Sequence, residues 1–466
     1  MIEFPHCGWR SLSRVSYLLG VMVLGGCAIH GDPAPRAVAV PAAWHATSKQ
    51  VGNDVTDAWW RSFGSVELDA LVARAGQQSL DLAEAAARMQ EAQALARIAG
   101  ASMWPSLSAD GSASRQGRLG GSNNVAGNAW QLGFVANYEV DLWGRLAALR
   151  ETAGREVQAS AFDLDTVRLT VTANVASAWV QRQATRERIA IGEQNLASAD
   201  RVLRLVEARR HAGAALQLEL AQQRALVAAQ RRTIEALRQQ QDALNMAIAA
   251  LLGEVVPLPP STDATLATLQ LPDITPDTPS SLLARRPDIA AAEARLAAAD
   301  ANLDAARAAL FPTVSLGAGL GFAGTTLGTL FSGPAYTLAA ALAAPIFDGG
   351  RLAGQRDLAA AQRTGQLVRY RATIVNAFAD AETALSNVNG ADAQAREQAE
   401  ELTQSERAVS LAESRYRAGA DTLLNLLISQ RSYYTAQDQA VQLLEARLLA
   451  RVGVYRALGG GWGTMR

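Results

Sequence analysis

Few residues in this chain are of the types and spacings that do chemistry. The histidines are His6, His30, His45 and His211, each isolated from the others. There is no HExxH, paired cysteine, GxSxG or phosphate-binding glycine loop. No catalytic site and no metal site is therefore expected. One reactive side chain stands apart. Cys27 closes the run Leu24, Gly25, Gly26, Cys27, which ends an apolar stretch from Val15 that follows Arg10 and Arg14.

The apolar stretch is about ten residues, whereas a helix spanning a bilayer takes about twenty, so residues 1–26 are expected to be a cleavable signal peptide. The segment resembles the lipoprotein signal of Gram-negative bacteria, in which the cysteine sulfur takes a diacylglycerol and the new amino group is acylated after cleavage. Two or three acyl chains hold a protein stably at a membrane. Ala28, where an aspartate would favour the inner membrane, implies sorting to the outer one. The covalent lipid on Cys27 is the only cofactor expected. Cys7 leaves with the signal, so no disulfide can form. The net charge of −1 comes with no basic patch, and nucleic-acid binding is set aside. No later segment offers eighteen consecutive apolar residues, so any membrane crossing must use strands.

The elements around these residues are written twice. Gly144, Arg145, Leu146 recur as Gly350, Arg351, Leu352, an offset of 206 (350 − 144). Ala212, Gly213 recur as Ala418, Gly419, and Leu252, Gly253 as Leu458, Gly459. Trp104, Pro105 recur as Phe311, Pro312 with a slip of one. A constant offset over such a distance implies a duplicated structural unit. The organisation read from it is a lipid-anchored N-terminal segment at 27–65, a first repeat at 66–253, a connector at 254–281, a second repeat at 282–459 and a tail at 460–466. The connector carries Pro257, Pro259, Pro260, Pro272, Pro276 and Pro279, which block helix continuation.

Trp130, Leu132, Phe134, Ala136, Tyr138 and Val140 alternate with Gln131, Asn137 and Glu139, which is the period of a strand. Val314, Leu316, Ala318, Leu320 and Phe322 repeat the pattern over residues 313–322, opposite Thr313, Ser315, Gly317, Gly319 and Gly321. Segments from Leu107 and Tyr336 are their weaker partners. An apolar face opposite small or polar residues over about ten positions fits a transmembrane barrel. Four strands cannot close one, and open edges are not tolerated in lipid, so the barrel must be shared between copies.

From about Gly144 to Ala212 there is no proline, and a single helix of roughly 65 residues would reach about 100 Å. Leu164, Val167, Val171, Val175 and Ala178 mark a packing seam, repeated by Tyr370, Ile374, Phe378, Ala381, Leu385 and Val388. Gly213 and Gly419 fall where each long helix should end, and Asp421 is the expected N-cap of a returning helix. Trp59 and Trp60 are expected to pack the N-terminal segment against the helices.

In this order the motifs resemble the outer membrane factors of tripartite efflux systems, the TolC-like family, and most closely their lipoprotein (NodT-type) branch. The resemblance covers nearly the whole mature chain. It is carried by Arg285, Arg286, Pro287, Asp288, Ile289 with Glu293, by Ala309 to Pro312, by YEVDLWGRL at 138–146, by PIFDGGRL at 345–352 and by YRAGADTLLNLLISQR at 416–431. It implies a mainly α fold with a membrane β-barrel part: three chains giving four strands each to a twelve-stranded barrel, and their coiled-coil helices forming a periplasmic tunnel. It implies an outer membrane channel passively conducting small molecules, such as drugs, toxic compounds or metal ions, delivered by an inner-membrane pump and a periplasmic adaptor.

In the family the periplasmic end is held closed by residues just after the tip glycines. Here these are Asp421, Asn425, Ile428 and Arg431, spaced to share one helix face, with Glu219 from the first tip. Relatives often carry an aspartate where this chain has Ile428, and a hydrophobic constriction gates by dewetting. Arg209, Arg210, His211, Gly213, Arg417 and Gly419 are candidates for adaptor docking. The plainer role of the tip cations is to offset helix C-terminal dipoles. Two other readings stand beside this one: an exit duct for secreted polypeptides, and a lipid-anchored helical interaction protein without a pore.

Overall fold

The computed structural model describes residues 38, 40–46, 58–117, 127–259, 266–272, 278–460 and 462; Cys27 and the signal segment lie outside them. The elements run α1 (Val66–Gln78), α2 (Leu80–Ala101), β1 (Ser106–Gln116), β2 (Gly127–Val140), α3 (Arg145–His211), α4 (Gln217–Leu251), α5 (Pro287–Ala308), β3 (Thr313–Gly324), β4 (Pro334–Ala343), α6 (Arg351–Arg417) and α7 (Leu423–Ala457). The duplication is visible at once. α3 and α6 are each 67 residues, α4 and α7 each 35.

One compact unit takes in 91–158 and 294–369. It holds a four-stranded antiparallel sheet in the order β1-β2-β3-β4. The register keeps apolar residues on one face: Phe134 stands opposite Leu320, Tyr138 opposite Leu316, and Leu320 in turn opposite Tyr336. Period-two alternation makes this possible, since a one-residue slip would move each apolar set to the other face. The sheet joins its helices through a repeated device. Asp141 accepts from the Ala147 amide at 2.8 Å at the start of α3, and Asp348 from the Leu352 amide at 2.9 Å at the start of α6. A carboxylate there satisfies helix-end donors that otherwise lack partners. Arg145 adds a forked pair to Glu139 at 2.7 and 2.8 Å, and the Trp143 indole donates to the Pro312 carbonyl at 2.7 Å.

The second unit takes in 38–90, 159–293 and 370 onward. Both seams read from the sequence enter one core: Val171, Val175 and Ala178 from α3 and Ile374, Ala381 and Leu385 from α6 are buried together. Trp59 stacks on Tyr455 with centroids 4.9 Å apart and packs edge-on against Trp60 and Phe63, so these tryptophans do pack the N-terminal segment on the helices. Glu67 of α1 accepts from Trp179, Arg182 and Gln183 of α3. Two nearly buried arginines hold the connector: Arg182 donates to the Pro259 carbonyl and Arg451 to that of Pro272. The stretch around Trp44 lies along α6, where Trp44 meets Phe378 and the Glu382 carboxylate accepts from the His45 and Ala46 amides.

Candidate functional site

The two helical hairpins end in the same turn. Gly213 and Gly419 have φ of 76° and 74°, the left-handed conformation that glycine enters freely. At the first tip Ala214 N bonds to Arg209 O and Gly213 N to Arg210 O; at the second Ala420 N bonds to Arg415 O and Gly419 N to Tyr416 O. These paired bonds satisfy the last helix carbonyls, as a Schellman motif does. Below the turns, Val202 and Val206 of α3, Leu220 of α4, Tyr416 of α6 and Leu423, Leu426 and Leu427 of α7 form one apolar cluster, so the two tips are packed as a single four-helix end.

Arg209 ties the tips together. Its guanidinium donates to the carbonyls of Tyr416 and Arg417 at 2.8 and 3.1 Å and lies 4.4 Å from the centroid of the Tyr416 ring. It therefore serves the C-terminus of α6, with a cation–π contact added. Arg210, His211, Gly213, Arg417 and Gly419 are exposed at the same end, and Arg417 pairs with Glu413 one turn back at 2.5 Å.

The structure brings some of the other sequence-selected residues together and leaves others apart. Asp421 precedes the N-cap of α7, which is Thr422, and this corrects the expectation that Asp421 itself would be the cap. Its carboxylate accepts from the Thr422 amide at 2.8 Å, from the Asn425 side chain at 2.7 Å and from Arg415 at 3.2 Å. Asn425, then Thr422, and further back Arg415 hold the Asp421 carboxyl below its usual range against a smaller opposing effect of burial. Ile428 and Arg431 continue the exposed face of α7 beyond this cluster, opposite buried Leu426, Leu427 and Gln430. Glu219 is the repeat counterpart of Asn425 (219 + 206 = 425). Its carboxylate turns back to accept from the Leu216 amide at 2.9 Å and closes the first turn of α4. Arg415 was not among the residues chosen from sequence. It lies six residues before Asp421 across a glycine turn, a spacing that no helical pairing pattern flags.

The sheet supplies the other functional surface. Leu132, Phe134, Leu316, Leu320, Tyr336 and Leu338 are all exposed on its apolar face. A soluble protein rarely leaves such a patch uncovered. No helix among the described residues is long and apolar enough to cross a membrane, and no cluster of three or more His, Cys, Asp or Glu side chains able to hold a metal occurs among them.

Long paired helices and a sheet with one exposed apolar face are the parts of a membrane protein. The chain belongs to the outer membrane efflux protein family, whose model matches residues 71–254 and 278–460. The pyoverdine export outer membrane protein OpmQ of Pseudomonas putida KT2440 is 45% identical over 440 residues, covering 92% of this chain and 94% of that protein. OpmQ of Pseudomonas aeruginosa PAO1 is 43% identical, covering 98% of each. Among solved structures, the outer-membrane channel OprN is similar with a TM-score of 0.86 at 28% identity, covering 94% of this chain and all of that one. This chain is an outer membrane efflux channel protein and not an enzyme. RRPDI, one of the motifs behind the resemblance, has a structural task here: Arg286 pairs with Asp288 at 2.7 Å, reaches Asp380 at 3.4 Å and donates to the Ala457 carbonyl at 3.2 Å.

Proposed function

We propose that three copies of this chain close one twelve-stranded barrel in the outer membrane, and that their long helices form the periplasmic part of a passive exit duct. The observation that carries this is the open sheet: an apolar face with two unpaired edge strands cannot remain open in lipid, and three sets of four strands give the even count usual for bacterial barrels. An inner-membrane pump supplies the energy, and a periplasmic adaptor docks at the hairpin tips through Arg210, His211 and Arg417 around Gly213 and Gly419. Arg209 supports that surface from within. Asp421, Asn425, Ile428 and Arg431 form the gate, with Arg415 and Asn425 fixing the Asp421 carboxylate within each chain; Glu219 supports the first tip. Acyl chains on Cys27 anchor the mature N-terminus to the membrane.

The cargo is a small molecule, and pyoverdine is the first to test, because both OpmQ proteins match this chain almost end to end. The same names favour small-molecule efflux over polypeptide export. The chain would be expressed in a Pseudomonas strain deleted for its own OpmQ, and pyoverdine fluorescence compared in medium and periplasm. Restored release is expected. Retention in the periplasm despite normal assembly of the chain in the outer membrane would remove pyoverdine from the proposal.

A further inference from the structure

The two β-hairpins of the sheet are copies of one another in register as well as in sequence. The Trp104–Pro105 and Phe311–Pro312 landmarks set an offset of 207 from β1 to β3, and Gly144 and Gly350 set one of 206 from β2 to β4. Applied to the pair Ser106 and Asn137, those offsets give Thr313 and Ala343, which is the pair found. The joint between the hairpins, β2 on β3, is therefore a template for the next joint around a ring, where β4 of one copy meets β1 of another. In the template Phe134 stands opposite Leu320; adding 206 to the first and subtracting 207 from the second gives Ala340 and Ala113.

Resting on the shared-barrel reading above, we propose that β4 of one copy pairs antiparallel with β1 of the next in this single register, Ala340 opposite Ala113 and Ala339 opposite Ser114. Both edge strands are exposed along their full length. The register puts Ala340 on the same apolar face as Tyr336, Leu338 and Leu342, and Ala113 on that of Leu107 and Ala109. A head-to-tail joint of this kind closes a ring when its rotation allows. Beyond the strand end the register also brings Ile346, 90% exposed, opposite Leu107, 73% exposed. Their counterparts within the chain, Val140 and Val314, face each other and are half-buried. Trp104 fits the same picture. Its counterpart Phe311 is covered by Trp143, stacked at 5.0 Å, whereas Trp104 is 75% exposed. The counterpart of Trp143 is Gly349, and the one aromatic residue in that turn is Phe347, 92% exposed. Phe347 of one copy thus covers Trp104 of the next.

One difference between the two joints follows. Gly133 and Gly321 face each other in the template, and a Cβ on Gly321 would lie 2.7 Å from the Gly133 Cα. Their counterparts at the joint between copies are Ala339 and Ser114, which carry Cβ atoms, so that joint is more widely spaced there.

Cysteine pairs test the register, because the mature chain has no cysteine other than Cys27. The pairs Ala113→Cys with Ala340→Cys and Ser114→Cys with Ala339→Cys are neighbours along the ladder. One of them must be of the non-hydrogen-bonded type, with Cα atoms about 4.5 Å apart, which a disulfide spans. A two-residue slip places the same side chains about 7–8 Å apart diagonally. The full mature chain would be oxidised in membranes with copper phenanthroline, beside variants carrying Cys at Gly111 or Arg115 with Ala340→Cys, and at Ser112 or Gln116 with Ala339→Cys. Single-cysteine controls and heat-modifiable migration would establish that each variant folds. Covalent trimers from the first pairs alone are expected. Trimers from a slipped pair would overturn the register while leaving the shared barrel standing, and a native trimer that none of the pairs crosslinks would overturn the edge-to-edge joint. A monomeric mass in detergent would remove both the shared barrel and this inference.

Discussion

Gly133 and Gly321 stand opposite each other where β2 meets β3, and a Cβ built on Gly133 would come within 2.8 Å of the Leu320 carbonyl oxygen. The obstruction is backbone, which cannot swing aside as a flexible side chain can. Gly133→Ala should cost about 1–3 kcal/mol, in the range of overpacking substitutions, and lower the temperature at which the folded band is lost on a gel. Gly317→Ala should leave it unchanged, since its nearest neighbour is Ala339 Cβ at 3.8 Å.

Glu67 accepts three hydrogen bonds from α3, at 3.0 Å from Trp179, 3.0 Å from Arg182 and 2.9 Å from Gln183. The Arg182 side chain is only 2% exposed. Removing the carboxylate strands a buried cation, and breaking such a pair costs roughly 3–5 kcal/mol. Urea unfolding of Glu67→Ala should register a loss of this size, and Glu67→Gln a smaller one.

Asp392 gives the helical unit a pH dependence of definite sign. Burial pushes its pKa up, but hydrogen bonds from Arg447 and Arg451 and their charges outweigh that and hold it below the usual carboxylate range. A depressed value in the folded state means that the stabilisation is present above the unfolded-state pKa and is lost as pH falls through the folded one. Denaturation midpoints of the parent and Asp392→Asn should therefore differ most at neutral pH, and the gap should close at strongly acidic pH.

At the second tip, Asp421→Ala removes the common acceptor of Thr422, Asn425 and Arg415. Arg415 is largely exposed and solvent screens its charge, so the loss of stability should be small. The functional effect should be larger: entry of bulky antibiotics into cells carrying the variant should rise several-fold, a readout that a purely structural role would not move.

Cys27→Ser should abolish incorporation of a clickable palmitate analogue while the mature body still folds. Continued labelling would place the lipid elsewhere or require another form of anchoring.

The strands and helix ends were legible because their signals are local. Trp130 to Val140 alternates strictly, and Gly213 and Gly419 mark turns that only a left-handed residue completes easily. The second seam, from Tyr370 to Val388, could be read from its three- and four-residue steps. Contacts joining distant segments were not legible. Nothing in the spacing of Glu67 and Trp179, or of Trp44 and Phe378, announces that they touch, because such pairs are set by how the helices pack. The Asp421 cap was misplaced by one residue for a related reason: aspartate and threonine are both good caps, and the geometry of the glycine turn chose Thr422. The place of Arg209 at the hairpin tip, where it is a candidate for adaptor docking, is legible in the sequence, but its reach to the Tyr416 carbonyl depends on the second hairpin packing beside the first.

The central claim is that this chain makes a water-filled duct, and single-channel recording from the purified mature protein in a planar bilayer tests it most directly. Uniform conductance steps from a preparation whose measured mass is that of a trimer are the predicted result. A folded trimer that inserts into the bilayer and passes no current, even with Asp421→Ala at its tip, would contradict it.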